Sequence, residues 1–415
     1  MNLSAELDRW LSPEVGGLLS RVGTAATGLG CAAYLVGGPV RDLLLGRSSL
    51  DLDVVVDGDA TAVARAALAH GEQTLVVHPV FGTATIRSGG FRIDLASARA
   101  ELYERPGALP VVRSGSIEQD LMRRDFSINA MALALDGHHR GELLDLHGGF
   151  ADLQRGLLRV LHSNSFVDDA TRILRGVRYE QRFGFVFEEH TLALLQRDLH
   201  YMGCISGDRV RHEFERTYEE DEPEQALQRL DALGVLAAVH PTLAFGREKA
   251  WALGSIRSEV LSGPQRESAC WCVLAWAMSG DEVDSLDVRL NLPRRIKEPL
   301  ADCVELAALE RRLEDTALRP VQVYELLQGR SPGALTAAEH LMISPVARGH
   351  VSEFLHRLRH VRPSLTGKDL RAMGVPEGLE LGRILAALRV AKLSGRVMSR
   401  EDELALARVL CRDGR

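Results

Sequence analysis

The first third of the chain carries a pattern that the rest does not repeat. Ala32–Val36 and Leu52–Val56 are short apolar runs rich in β-branched residues, as buried strands require. Thr74–Val77, Thr83–Arg87 and Phe91–Leu95 predict three more strands, the last two joined by a Ser88-Gly89-Gly90 turn. Thr61–His70 is rich in Ala and predicts a helix, and residues 1–30 predict one or two more. Residues 99–120 contain two prolines, two glycines and mixed charge, and predict a mobile loop. Leu121–Leu133 puts Phe126, Ile128, Met131 and Leu133 inward, with Arg123 and Arg124 near a helix start. After the Gly148-Gly149-Phe150 turn the period becomes helical and stays so to the end. The expectation is a small α/β head with a mixed sheet, followed by helices only.

Length and composition narrow the class. A chain of 415 residues suggests two to four domains. Hydrophobic residues at 46% and charged residues at 26% are ordinary for a soluble protein. No apolar run reaches the eighteen or so residues of a membrane span, and the acidic, amphipathic start does not read as a signal peptide. A cytoplasmic protein without membrane contact is expected. Six scattered cysteines, of which only Cys270 and Cys272 lie close together, predict buried free thiols, not a zinc site or a disulfide framework. The net charge of −7 argues against a protein that coats nucleic acid at random.

The chemistry gathers in Leu35–Val56. Asp51 and Asp53 stand two apart on a predicted strand, so both carboxylates point to one face. Two like charges beside Leu52, Val54, Val55 and Val56 are costly unless a cation neutralises them. Hard cations such as Mg²⁺ take oxygen ligands of this kind. Upstream, Gly37-Gly38 opens a short helix whose N–H groups can hold a phosphate, with Arg41 one turn on. Asp94, between Ile93 and Leu95, offers a third strand carboxylate. Farther along, Arg172, Arg175 and Arg178 recur every three residues, with Arg182 four beyond. An arginine face without alternating acids should meet phosphate or a base edge. Between Phe354 and Arg400, ten Lys and Arg stand against three Asp and Glu, a local excess of +7. Such a tract can grip an RNA backbone without reading sequence.

GGPVRD at 37–42, LDLDVVV at 50–56 and RRDFSINAMAL at 123–133 resemble the class II tRNA nucleotidyltransferases and their bacterial poly(A) polymerase relatives. The resemblance runs nearly the full length. It implies a polymerase-β-like α/β nucleotidyltransferase head over 1–150, a helical neck with the nucleotide-selecting motif over 151–216, a helical body over 217–350 and a basic helical tail over 351–415. Asp51, Asp53 and Asp94 are then the catalytic, metal-binding carboxylates. Gly37, Gly38 and Arg41 contact the triphosphate. Arg124, Asp125 and Asn129 hold ribose and triphosphate. Asp168-Asp169-Ala170-Thr171-Arg172 matches the family's EDxxR motif, with Asp168 in place of Glu. There Asp169 accepts from a base amino group and Arg172 donates to a ring acceptor, a pattern that fits cytosine and adenine and rejects uracil and guanine. Arg175 and Arg178 complete the nucleotide site. Thr366-Gly367-Lys368-Asp369-Leu370 resembles the family's tail; Lys368, Arg371, Arg383, Arg389 and Lys392 would hold tRNA. The Pro106–Pro110 segment, PGALP, is more similar to A-adding or loop-modified members than to ordinary CCA-adding ones. The implied activity is transfer of CMP and/or AMP from CTP or ATP to a tRNA 3′ end. A poly(A) polymerase with the same head and a catalytically inactive RNA-binding protein are the two alternatives.

Overall fold

The computed structural model describes residues 1–48, 51–68, 74–78, 82–88, 90–258 and 261–413. The chain divides into two compact units. Met1–Phe214 with Ala232–Val239 form the first, which holds the residues of the expected head and those of the expected neck as far as Phe214. Glu215–Asp231 with His240–Arg415 form the second.

In the first unit, helices α1 (Ser4–Trp10), α2 (Pro13–Gly28), α3 (Gly38–Leu44) and α4 (Ala60–Ala67) accompany a seven-stranded sheet. Its strands are β1 (Ala32–Val36), β2 (Asp51–Asp57), β3 (Thr74–His78), β4 (Thr83–Ser88), β5 (Phe91–Ser97), β8 (Met131–Ala134) and β9 (Leu143–Asp145); β6 (Arg99–Leu102) and β7 (Val111–Ser114) pair separately. The order is β3-β4-β5-β2-β1-β8-β9. Within this sheet only β2 and β5 run parallel and the other neighbours are antiparallel; beyond it Leu157–Leu158 and Val186–Phe187 form a small parallel pair, so the part after residue 150 is not helices only as expected. β2 alternates open and buried at its start, where Asp51 and Asp53 flank buried Leu52, and is fully buried over Val54–Val56. That is the pattern of a central strand whose leading end opens on a functional face.

Four further sequence expectations change. The segment 99–120 is not one irregular loop. β6 and β7 form an antiparallel hairpin, and α5 (Ile117–Met122) begins before its end. Arg123 and Arg124 therefore follow a helix C-terminus instead of opening a helix, and Ser127–Asn129 is a single tight turn leading into β8. The helix expected over Thr61–His70 is α4 as far as Ala67; positions 69 and 70, and Gly89 of the expected glycine turn, lie outside the described residues. Finally, all six cysteines are free but only Cys270, Cys272 and Cys303 are buried, while Cys204 is exposed.

The helical part of the first unit follows β9: α6 (Gly149–Arg155), α7 (Ser165–Asp168), α8 (Thr171–Phe183), α9 (Glu189–Asp198) and α10, Gly207–Tyr218, which continues into the second unit. α8 packs closely on the sheet end. Gly176 makes this possible, because a Cβ there would stand 2.7 Å from Phe187 and 2.8 Å from Phe126. Phe126 in turn meets Tyr179 edge to face at 6.0 Å. The second unit contains no described strand. Its C-terminal helices carry a small core of their own, from Leu365, Leu370, Val375, Ile384, Leu388 and Ala407. No helix among the described residues is long and apolar enough to cross a membrane.

Candidate functional site

The parallel pairing of β2 with β5 sets Asp53 directly beside Asp94 and Asp51 beside Arg92. Three carboxylates thus share the leading end of two adjacent central strands. The protein mass around Asp53 pushes its carboxyl above the ordinary range; the charge of Arg124 pulls against this, while Asp94 and Asp51 add to it. The Asp94 carboxylate is already engaged: Thr85 Oγ1 donates to Oδ1 at 2.6 Å and Arg92 Nη2 reaches Oδ2 at 2.7 Å. Among the described residues no three Asp, Glu, His or Cys side chains converge as a ready metal cage. The backbone delivers the carboxylates to one place, and Arg92 occupies part of it.

The glycine turn lies alongside. Gly37 has φ +71°, a conformation that only glycine adopts without strain, and a Cβ there would stand 2.5 Å from Arg124 Nη1. Arg124 donates to Asp120 Oδ2 at 2.9 Å, and its Nε is buried without a hydrogen-bond partner. A guanidinium beside Gly37, with an unused donor and a charge felt at Asp53, is equipped to bind an anion. Arg41 is placed differently. It is buried, its Nη1 donates to Asn129 Oδ1 at 2.6 Å, and its other nitrogens bind Asp42. Its guanidinium lies over the Phe183 ring at 4.5 Å. Asn129 Nδ2 donates to Asp125 Oδ1 at 3.0 Å, so Arg41, Asn129 and Asp125 form one buried chain.

The α8 arginines overturn one inference. No acids alternate with them in sequence, yet acids reach them from other elements. Arg175 Nε and Nη2 donate to Asp125 Oδ2 at 2.9 and 2.7 Å, and Arg178 Nη2 donates to Glu213 Oε2 at 3.0 Å. Arg172 donates to Arg123 O at 2.6 Å and to Ser165 Oγ and O. Desolvated guanidiniums demand this, since a buried charge without a partner is costly. Asp169 is held at the start of α8: Oδ1 accepts from the Thr171 N–H and hydroxyl, and Oδ2 accepts from Arg209 Nη2 at 2.7 Å. Asp168 stands 3.8 Å from His162, and burial raises its carboxyl. Capacity remains for a base edge. Arg172 has five N–H donors and makes three hydrogen bonds.

Several further residues belong to this assembly. Arg92 stands two before Asp94 on the same strand face, a relation that period two makes readable. Arg209 joins Asp169 to the hairpin, its Nη1 lying 3.5 Å from Gly107 O. Tyr103, whose phenol is pushed up chiefly by burial with Arg172 opposing, donates to Glu101 Oε2 at 2.9 Å. Arg123 binds both Glu101 and Asp120. Sequence gives no signal for the Arg209–Gly107 contact, because its two ends are 102 positions apart.

In the tail, four of the five expected RNA-binding cations hold protein partners. Arg371 pairs with Glu377, Arg383 with Glu380 at 2.7 Å, Arg389 donates to Tyr324 Oη at 2.6 Å, and Lys392 pairs with the buried Glu403 at 3.1 Å. Lys368 alone of the five has no side-chain partner among the described residues. The +7 count overstated the free charge, because Glu403 lies beyond it in sequence.

Known proteins resemble this chain over most of its length. The family model "Poly A polymerase head domain" matches residues 33–159, and "Probable RNA and SrmB- binding site of polymerase A" matches 184–245. The A-adding tRNA nucleotidyltransferase of Geobacter sulfurreducens is 33% identical over 97% of this chain, which spans about half (48%) of that relative's length. The A-adding tRNA nucleotidyltransferase of Halalkalibacterium halodurans is 31% identical over 94% of this chain and 91% of its own. A solved structure of a CCA-adding enzyme in an apo form superposes with TM-score 0.83 at 31% identity, covering 99% of both chains. With likeness of this extent joined to carboxylates on paired central strands, the chain belongs to the tRNA nucleotidyltransferases.

Proposed function

We propose that this chain transfers AMP from ATP to the 3′-hydroxyl of a tRNA ending in CC, with release of pyrophosphate. The observation that carries the reading is the β2–β5 register, which sets Asp53 beside Asp94, with Asp51 on the same face and Arg124 and Gly37 alongside. The donor set is all carboxylate oxygen, suited to a hard cation. Asp51 and Asp53 would hold Mg²⁺, with Asp94 joining once Arg92 lets go; the ion supplies neutralisation of the triphosphate and a more acidic hydroxyl. Asp94 takes the proton of the attacking 3′-hydroxyl. Arg124 and the N–H groups of the Gly37-Gly38 turn bind the triphosphate. Asp169 and Arg172 read the base edge. Arg175, Asp125, Asn129 and Arg41 stiffen the wall behind it, because they form one hydrogen-bonded chain, and Arg178 joins the same wall through Glu213. Lys368 and the exposed tail pairs, weak enough to exchange for phosphate, contact the tRNA. AMP is chosen over CMP because the hairpin carries PGALP and the two relatives described above are named A-adding.

The test uses purified protein with tRNA transcripts that lack the CCA end, end in CC, or are complete, and each labelled triphosphate separately. Incorporation of a single AMP on the CC-ending transcript alone is expected. CMP incorporation on the shortest transcript would overturn the choice of AMP. Long A tracts on unrelated RNA would make the chain a poly(A) polymerase instead. Base choice gives a second prediction. Arg172→Ala should lower the ratio of kcat/KM for ATP over GTP by about 10-fold or more, since a polar site rejects a base by leaving its groups unpaired. An unchanged ratio among the four triphosphates would remove Arg172 from base selection.

A further inference from the structure

The second unit carries a cleft whose chemistry nothing above uses. One wall is the helix Arg247–Arg257, which buries Ala250, Ala252, Leu253 and Ile256 and turns Trp251 outward. The other is formed by Leu341–Ile343 and by Arg348 of the helix Pro345–His356. The cleft measures about 420 Å³. Trp251 is 60% exposed and Ile343 88% exposed. Both line the same cleft, and an exposed apolar patch rimmed by polar residues marks a contact surface. The indole meets the His340 ring edge to face at 5.9 Å.

Charge identifies the occupant. Arg247 and Trp251 stand one turn apart on the same helix face, and Arg348 comes from across the cleft. Neither guanidinium has an ion pair or a side-chain hydrogen bond among the described residues. Elsewhere in this unit arginines find acids, as Arg257 does with Glu222 and Glu224 and Arg330 with Asp302. Among the described residues, Glu248 is the only acid lining the cleft. Residues 344–362 next to it contain four Arg and one Glu. An exposed indole face beside two uncommitted guanidiniums suits a base stacked on the ring with its flanking phosphates on the cations. The geometry points to a second RNA-binding site here, in which Trp251 stacks on an unpaired nucleotide of the tRNA and Arg247 and Arg348 bind the adjoining phosphates. This rests on tRNA being the substrate of the chain.

The experiment measures binding of CC-ending tRNA to the full chain by fluorescence anisotropy across a salt series, with single-turnover AMP incorporation alongside. Trp251→Ala should weaken tRNA binding about 10-fold or more, the effect of losing one base–aromatic stack. Trp251→Phe, which keeps an aromatic face, should recover most of it. The double variant Arg247→Gln, Arg348→Gln should reduce the slope of log affinity against log salt by about 1 to 2. KM for ATP and the rate at saturating tRNA should not move in any variant. Since Trp251 is exposed, the melting temperature should stay at the wild-type value. If wild-type protein binds no tRNA, the substrate reading itself fails. If it binds and Trp251→Ala binds equally well, this site alone is overturned. An unchanged tRNA affinity with altered oligomeric mass by light scattering would assign the cleft to a second copy of the chain and also overturn it.

Discussion

Asp53→Asn is expected to lower AMP incorporation on the order of 10³-fold or more while leaving tRNA affinity unchanged. Removing one carboxylate from the β2 end withdraws charge stabilisation worth several kcal/mol in the transition state. The same substitution should not weaken the fold. Burial and the neighbouring Asp94 and Asp51 raise the Asp53 carboxyl above its ordinary 3.8. A raised acid binds more protons folded than unfolded between those two values. Its contribution therefore becomes unfavourable as pH rises through that window and stays so above it. Without divalent cation at pH 7, the Asn variant should melt at or above the wild-type temperature. Mg²⁺ should raise the melting temperature of wild type, because an ion that binds only the folded state stabilises it, and should leave Asp53→Asn unmoved. A variant that keeps both turnover and the Mg²⁺-induced shift would end the metal assignment.

Asp125→Ala should unfold the first unit more easily, at a cost of about 3 kcal/mol, because it removes the nearest acid from the largely buried Arg175 and leaves it Glu213 at 3.8 Å and the Tyr179 hydroxyl. It also removes the acceptor for the Phe126 N–H and for Asn129 Nδ2. Burial by itself would raise the Asp125 carboxyl. The Arg175 charge and the hydrogen bonds from Asn129 and Arg175 outweigh it and hold the group at about 2. An acid lowered on folding contributes stability that is complete above 3.8 and is lost as pH falls toward 2. At pH 7 that contribution is on the order of 2–3 kcal/mol. Urea unfolding followed through the first unit at pH 7 and pH 3 measures it. Wild type should lose stability between the two pH values, and Asp125→Ala should lose correspondingly less. Equal losses would show that the Asp125–Arg175 pair does not hold α8 to the sheet end. Asp125 was expected to touch the nucleotide; its oxygens accept hydrogen bonds from the Phe126 N–H, Asn129 and Arg175.

Local patterns were legible because their physics is local. β1, β2, β4 and β5 follow from apolar runs whose side chains must leave water. The shared face of Asp51 and Asp53 follows from the strand period of two. The turn at Gly37 follows from a backbone conformation that other residues resist. The helical remainder follows from its 3.6-residue repeat. What only the tertiary structure decided was which groups meet across long separations. The β2–β5 register brought Asp53 to Asp94 and set Arg92 against Asp94. Glu213 and Asp125 neutralised arginines that had looked free, Arg209 tied Asp169 to the hairpin, and Glu403 claimed Lys392. A sequence shows the charge that each residue brings, whereas the partner that satisfies a desolvated charge comes from whichever element folding packs against it.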